Sequence, residues 1–280
     1  MISAASQSDI AVDAARFASA AGVEVRILSS MADLVEAVQA LRGIWGGDDL
    51  PIDPGLLRAV SFSGGYVSAA LADDRIVGAA AGFLGQHPDD REPHLHSHIA
   101  GVVSTWQGRH VGLALKQHQR AWALAAGIGV IEWTFDPLIR RNAYFNLIKL
   151  GADIVGFEAN FYGSMRDAIN AGDQTDRAVV RWDLLSDTAI GAAAGRNRHE
   201  PDGGAVMLRP DADGRPAIAA QRGDVLRAWI PEDAVALRHR DPAAGQAWRS
   251  ALRDTFGAAI ADGYRATSIS RDGWYTLVRA

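Results

Sequence analysis

Between Val102 and Lys116 the chain reads Val-Val-Ser-Thr-Trp-Gln-Gly-Arg-His-Val-Gly-Leu-Ala-Leu-Lys. An apolar run passes into a short polar loop with two glycines, and the loop opens directly onto a stretch with the periodicity of a long helix. The first N–H groups of a helix have no partner within it, and the macrodipole makes that end positive. A loop in this place binds phosphate oxygens, and glycine lets the ligand come close to the backbone. The chemistry implied is the holding of a phosphate or diphosphate.

Two other sets of side chains have chemical potential. His94, His96 and His98 alternate along a predicted strand, so all three point to one face. A straight strand sets the outer pair about 13 Å apart at roughly 3.3 Å per residue, whereas zinc takes its ligands at about 2 Å, so the triplet converges poorly on a metal. Histidine titrates in the range a general base needs, which makes His96 and His98 candidates for removing a proton. Glu132 lies inside the next apolar strand and competes for that role, because burial disfavours a charged carboxylate. Asp136-Pro137 reads as a helix cap and start, Arg140-Arg141 as a solvated face, and Trp106 and Trp122 as packing residues.

The elements that must position these groups follow from patterning. An amphipathic helix is expected over 8–20, a strand over Val23–Ser29, and a helix over Met31–Trp45 capped by Ser29 or Ser30. Gly46-Gly47-Asp48-Asp49 breaks it, Pro54 starts another, and Ser63-Gly64-Gly65 ends that one. Strands Tyr66–Ala72 and Ile76–Leu84 form a hairpin through Asp73-Asp74-Arg75, and His94–Val103 leads into the glycine loop. Then come a helix over Val111–Gly127, a strand over Val130–Phe135, a helix over Leu138–Leu150, and strands over Ile154–Phe161 and Ala178–Leu185. Residues 186–204 read as a linker. Beyond it lie short strands near Val206–Leu208 and Leu226–Trp229, a helix striped with Trp248, Leu252, Phe256 and Ile260, and a strand pair at Tyr264–Ser270 and Trp274–Val278. This order predicts an α+β fold with a mixed sheet.

Composition narrows the function. The 280 residues are 48% hydrophobic and 22% charged, with a net charge of −5, which argues against a general nucleic-acid or anionic-membrane binder. The chain has no cysteine, which excludes disulfides, thiolate chemistry and zinc ribbons. Residues 1–20 lack the pattern of a signal peptide, and no apolar run approaches the roughly 20 residues of a membrane span. A cytoplasmic location is expected.

Residues 23–185, most closely 99–152, resemble the GCN5-related N-acetyltransferase (GNAT) superfamily, in particular two-part bacterial members with similar Trp-Thr-Phe-Asp-Pro and Lys-Leu-Gly-Ala segments. The superfamily's pyrophosphate loop is written Q/R-x-x-G-x-G/A, and here it is Gln107-Gly108-Arg109-His110-Val111-Gly112. His110 stands at the first motif glycine, a place histidine can take because it tolerates positive φ. A second motif, Asn142-Ala143 followed by Lys149-Leu150-Gly151-Ala152, lies about 35 residues downstream in the expected order.

The resemblance implies a GNAT-like, mostly antiparallel sheet flanked by helices over 23–185, preceded by a helical extension at 1–22 and followed by a smaller α+β domain at 205–280. It implies acetyl-CoA or another acyl-CoA as co-substrate, and a small-molecule amine such as an amino acid as acceptor of an acetyl or succinyl group. No metal is expected. Val102, Val103, Gln107, Gly108, Arg109, His110, Val111, Gly112, Leu113, Ala114 and Asn142 are the implied coenzyme-binding residues. His98 or Glu132 is the implied base. Many members carry a tyrosine acid where this chain has Leu147, which leaves Tyr144 or Tyr162 for that role. Residues 205–280 either complete the acceptor pocket or make a homodimer contact. A non-catalytic acyl-CoA-binding module and a metal hydrolase built on the His triplet are the alternative readings.

Overall fold

The computed structural model describes residues 4–45, 52–88, 91–163, 174–196, 198, 203–219 and 223–280. The expected break at Gly46-Gly47-Asp48-Asp49 and part of the expected linker, residues 197 and 199–202, lie outside them. The chain divides into two compact units, Met1–Trp133 and Thr134–Ala280, a division that falls within the span 23–185. Both units are α+β.

The first unit runs α1 (Ala4–Ala20), β1 (Glu24–Ile27), α2 (Met31–Trp45), α3 (Pro54–Phe62), β2 (Tyr66–Ala72), β3 (Arg75–Gly85), β4 (His94–Val102), a 3₁₀ turn (Ser104–Trp106), α4 (Val111–Ala125) and the start of β5 (Val130–Phe135). Local chemistry sets the ends of these elements. Ser30 Oγ accepts from Asp33 N at 3.1 Å at the start of α2. Asp53 accepts from Leu56 N at 2.9 Å with Pro54 in the first turn of α3. Asp73 and Asp74, at φ 48° and 60°, form the two-residue turn of the β2–β3 hairpin, since aspartate tolerates the left-handed region and that turn follows the strand twist.

Strands run in the order β1-β2-β3-β4-β5, antiparallel except for β4 against β5. On one face Leu34, Val38 and Leu41 of α2 and Leu57 of α3 pack over Val67, Ala69, Ala79 and Ala81. On the other face α4 lies against the sheet, with Trp122 edge-on to Tyr66 at 5.3 Å, and α1 packs on α4. Helix α4 is therefore covered on two sides, and even Gln117, Gln119 and Arg120 are buried.

The second unit contains α5 (Arg140–Tyr144) continued by a π-helical stretch (Phe145–Lys149), β6 (Asp153–Glu158), β7 (Arg177–Asp183), α6 (Asp187–Ala193), β8 (Ala205–Pro210), β9 (Pro216–Ile218), β10 (Val225–Trp229), α7 (Ala234–Arg240), α8 (Pro242–Leu252) with a π stretch (Arg253–Gly257) into α9 (Ala258–Ala261), and the hairpin β11 (Tyr264–Ile269) and β12 (Trp274–Arg279). Its strands are ordered β7-β6-β11-β12-β10-β8-β9. Pairing of Ala266 with Ile154 joins β11 to β6, so one sheet includes strands from both sides of the expected linker.

Two details differ from the sequence expectation. The segment 186–204 contains helix α6, because Ser186 Oγ accepts from Ala189 N at 3.2 Å and the alanines that follow are good helix formers. Arg140 is not a solvated residue: its guanidinium donates to the Ile230 carbonyl at 2.5 Å and lies over the Trp229 ring. Among the described residues no helix is long and apolar enough to cross a membrane.

Candidate functional site

The glycine loop leaves β4 at Val103, whose N–H donates to the Val77 carbonyl at 2.9 Å. The 3₁₀ turn then lifts the chain off the sheet, and Gly108, at φ 79°, turns it back. His110, at φ 64° and ψ 11°, takes the left-handed conformation at the head of α4, and its carbonyl accepts from Leu113 N and Ala114 N at 3.0 Å each. Among the described residues the N–H groups of Gly108, Arg109, His110, Val111 and Gly112 have no hydrogen-bond partner. Five consecutive donors at the positive end of a helix constitute an anion cradle.

Side chains around the loop keep this cradle open. A Cβ at Gly108 would meet nothing within 4 Å, and one at Gly112 would meet only Val102 Cγ2, at 3.8 Å. Gln107 donates from Nε2 to the Val102 carbonyl at 3.2 Å and so ties the loop to the end of β4. Arg109 is exposed, with its guanidinium 4.7 Å from the Trp106 ring centroid. Val111 and Ala114 are buried and Leu113 is half-buried; the Val111 N–H belongs to the open run, whereas those of Leu113 and Ala114 are taken by the His110 carbonyl.

Strand β4 carries a bulge beside the loop. Ala81 faces Ile99 while Phe83 faces His96, so β4 has one residue more than β3 over this interval. In an unbroken strand Ser97 and Val102, five residues apart, would point to opposite faces. Here both reach α4: Ser97 Oγ meets Lys116 Nζ at 2.9 Å, and Val102 lies beside Gly112. Among the described residues the parallel ladder with β5 ends at His96↔Glu132, so from Ser97 to Val102 that edge of β4 has no β5 partner. An open strand edge leading into an anion cradle suits an elongated ligand with an amide-bearing arm and a phosphate end.

The histidines do not converge as a triplet. Phe83 stacks obliquely on His96 and His98, at 5.0 and 5.9 Å, and those two rings are 6.2 Å apart. Burial, with His98 and His94 nearby, pulls His96 down to about 4, and burial also lowers the pKa of His98. Both are therefore neutral at pH 7 and able to accept a proton. His94 turns away to a different partner set: Glu132 Oε2 lies 2.6 Å from His87 Nε2 and 3.8 Å from His94 Nε2, and the His87 and His94 rings stack at 4.6 Å. A hydrolase centre on His94, His96 and His98 is thus corrected to a grouping of His87, His94 and Glu132.

Sequence reading missed two residues. His87 sits in the β3–β4 loop, where no periodicity marks it. Lys116 is buried on α4, donating to Ser97 Oγ and Gln119 Oε1 (3.1 Å), with Nζ 3.8 Å from the Trp133 ring centroid. Among the described residues it has no carboxylate partner, and burial lowers its pKa to about 7. The available signal was a lysine one turn after Gly112 in a helix with few exposed positions.

In the second unit Asn142 and Tyr144 are half-buried on α5, and Arg271 lies over the Tyr144 ring at 5.8 Å. Leu147 is fully buried core. Gly151, at φ 70°, allows the turn to lie against the backbone of Thr188 and Ala189, where a Cβ would collide. Tyr162 is 44% exposed, with its hydroxyl 3.5 Å from Thr134 Oγ1.

No family model matches the chain, and no curated protein matches it in sequence. Among solved structures it is similar to a GNAT-family acetyltransferase from Streptococcus pneumoniae, at 14% identity over 57% of this chain and 97% of that one, with a TM-score of 0.46. It is similar to yncA from Salmonella typhimurium with its cofactor acetyl-CoA, at 15% identity over 58% and 94%, TM-score 0.46. It is also similar to Naa20 from Chaetomium thermophilum in complex with a bisubstrate analogue, at 17% identity over 65% and 94%, TM-score 0.47.

Proposed function

We propose that the chain is an acyl-coenzyme A-dependent N-acyltransferase of GNAT type, transferring an acetyl or succinyl group to the amine of a small molecule such as an amino acid. The observation that carries this reading is the run of five unpartnered N–H groups from Gly108 to Gly112, continuous with the open edge of β4. The loop holds the coenzyme's diphosphate, and the β4 edge pairs with the amides of its pantetheine arm. Asn142 is assigned to the same ligand on the strength of the second motif.

In the reaction a base takes a proton from the acceptor ammonium, and the free amine attacks the thioester carbonyl carbon. The C–N bond forms, the C–S bond breaks, and the coenzyme leaves as a thiolate that is then protonated. Backbone N–H groups of β4 polarise the thioester carbonyl and stabilise the oxyanion. His98 is assigned as base, since its ring is neutral and accessible, whereas Glu132 Oε2 is already engaged by His87. Tyr144 is assigned as the acid that protonates the thiolate.

Calorimetry with acetyl-CoA, followed by a thiol-release assay over a panel of amines and acyl donors, tests the proposal. Binding is expected to disappear in Gly112→Leu, which fills the space beside Val102. Absence of binding by any coenzyme A thioester at about 1 mM would overturn the reading. Binding without thiol release from any amine would leave a non-catalytic acyl-CoA module instead.

A further inference from the structure

His87, His94 and Glu132 bring two imidazoles and one carboxylate together at the N-terminal end of β4, and their ligand atoms all lie within 4.8 Å of one another. We propose that these three residues bind one divalent transition-metal ion of the zinc class, leaving at least one coordination position open. The donor set is two nitrogens and one oxygen with no thiolate, which suits borderline ions such as zinc, iron(II) or cobalt(II) over calcium or magnesium. Three protein ligands are the complement of a site that keeps a position for water or substrate.

Closing around an ion needs the His87 ring, which stacks on His94 at 4.6 Å, to rotate out of the stack so that both nitrogen lone pairs aim at one point, together with shifts in the contacts to Glu132. Bonds of about 2.0–2.1 Å in a tetrahedral centre put the ligand atoms about 3.3 Å apart. The His87–Glu132 contact of 2.6 Å must open and the His94–Glu132 contact of 3.8 Å must shorten, each by roughly half an ångström or a little more. The two inner ligands are fixed, for the side chains of His94 and Glu132 are 8% and 6% exposed on paired strands. The third is free to adjust, because the His87 side chain is 51% exposed on a loop. Space for the inner histidine is built into the sheet as well. Gly85 lies opposite His94, and a Cβ there would come within 2.7 Å of His94 Nε2, although Gly85 is not among the glycines with positive φ. A glycine that the backbone conformation does not require, placed against the ligating nitrogen, preserves the ring's position.

This inference does not rest on the acyltransferase reading, since metal binding and coenzyme A binding are measured separately and either can fail alone. With an ion bound, the Glu132 carboxylate is a ligand, which agrees with His98 rather than Glu132 as base.

The test uses tag-free, full-length protein treated with chelator and then titrated with zinc chloride by calorimetry and with cobalt chloride by visible absorption. One equivalent of zinc is expected, together with the d–d bands of low-coordinate cobalt(II). His87→Ala and Glu132→Gln are expected to weaken zinc binding at least about 100-fold, while His98→Ala leaves it unchanged. Because His87 is on an exposed loop, His87→Ala keeps the fold, and its circular dichroism and melting temperature verify that. No binding at about 100 µM zinc, or binding equally tight in His87→Ala and Glu132→Gln, would overturn the proposal and leave a hydrogen-bonded His–Glu–His cluster only.

Discussion

His110 occupies a left-handed backbone position at φ 64° where the resembling motif has glycine. A non-glycine residue there costs roughly 1 kcal/mol, while replacing it with glycine loosens the unfolded chain by a comparable amount. His110→Gly is therefore expected to change stability by less than about 0.5 kcal/mol and to retain coenzyme A binding. His110→Val, β-branched at positive φ, should lose about 2 kcal/mol. Urea melts of the three proteins check this, and equal stability for the valine and glycine variants would mean that the loop does not hold this conformation in solution. His98 makes a second prediction at this scale. Its pKa is lowered by burial, so the base form persists below the ordinary imidazole range, and kcat/KM should begin to fall only at a pH below about 6.5. His98→Ala should remove that acidic limb and lower the rate by about 10² or more. An unchanged profile would exclude it as base. The positive φ of His110 and the candidacy of His98 as a base are legible in the sequence, because histidine's tolerance of positive φ and its titration range are properties of the residue type.

Helix α4 carries information that its periodicity hides. Apolar spacing announces one buried stripe, but a helix covered by both the sheet and α1 buries polar residues too, and Lys116 is one of them. Its pKa is about 7 in the folded state against a usual 10.5. Between those values the unfolded chain holds the extra proton, so stability rises with pH across this window. Below about pH 7 both states are protonated, and the full cost of burying the ammonium is present. Lys116→Met removes the titration. Its stability relative to the parent should fall by on the order of 3 kcal/mol between about pH 6.5 and about pH 9.5, as the parent recovers. Chemical denaturation at the two pH values measures it, and parallel curves would show that Lys116 is not buried as a lone amine. The β4 bulge was equally hidden. One extra residue in a strand leaves no mark on the apolar pattern of His94–Val102, yet it decides that Ser97 and Val102 share a face and that the histidines take the other. The hairpin at Asp73-Asp74 was readable because its turn chemistry is local, whereas a bulge is a matter between two strands.

At the scale of the molecule, legibility tracked sequence separation. Elements with strong apolar patterning, among them α3, the β2–β3 hairpin, α4, β5 and the β11–β12 hairpin, were predicted within a few residues, whereas the short helices α6 and α7 and strand β9 were not. The pairing of Ile154 with Ala266 joins strands more than a hundred residues apart, and no local signal announces it. His87 was missed for a similar reason, since a loop residue gains meaning only from the strands it folds over. The anion cradle lies at the other extreme, being a continuous segment whose geometry is set by consecutive residues. That contiguity gives a prediction testable on the whole chain without any substitution. Among the described residues the amides of Gly108–Gly112 have no acceptor, so in the free protein they should exchange with deuterium quickly, while those of the α4 interior and β3 exchange slowly. Saturating coenzyme A should slow exchange across 108–112 and along the β4 edge at 97–102, and at about 100 times its Kd should stabilise the protein by about 2.7 kcal/mol. Desulfo-coenzyme A should protect the same segments, because the diphosphate and the pantetheine amides, not the thiol, make those contacts. Protection confined to other segments would place the ligand elsewhere and remove the loop from the mechanism. Protection at 108–112 without 97–102 would keep the phosphate site and discard the strand-like pairing of the arm.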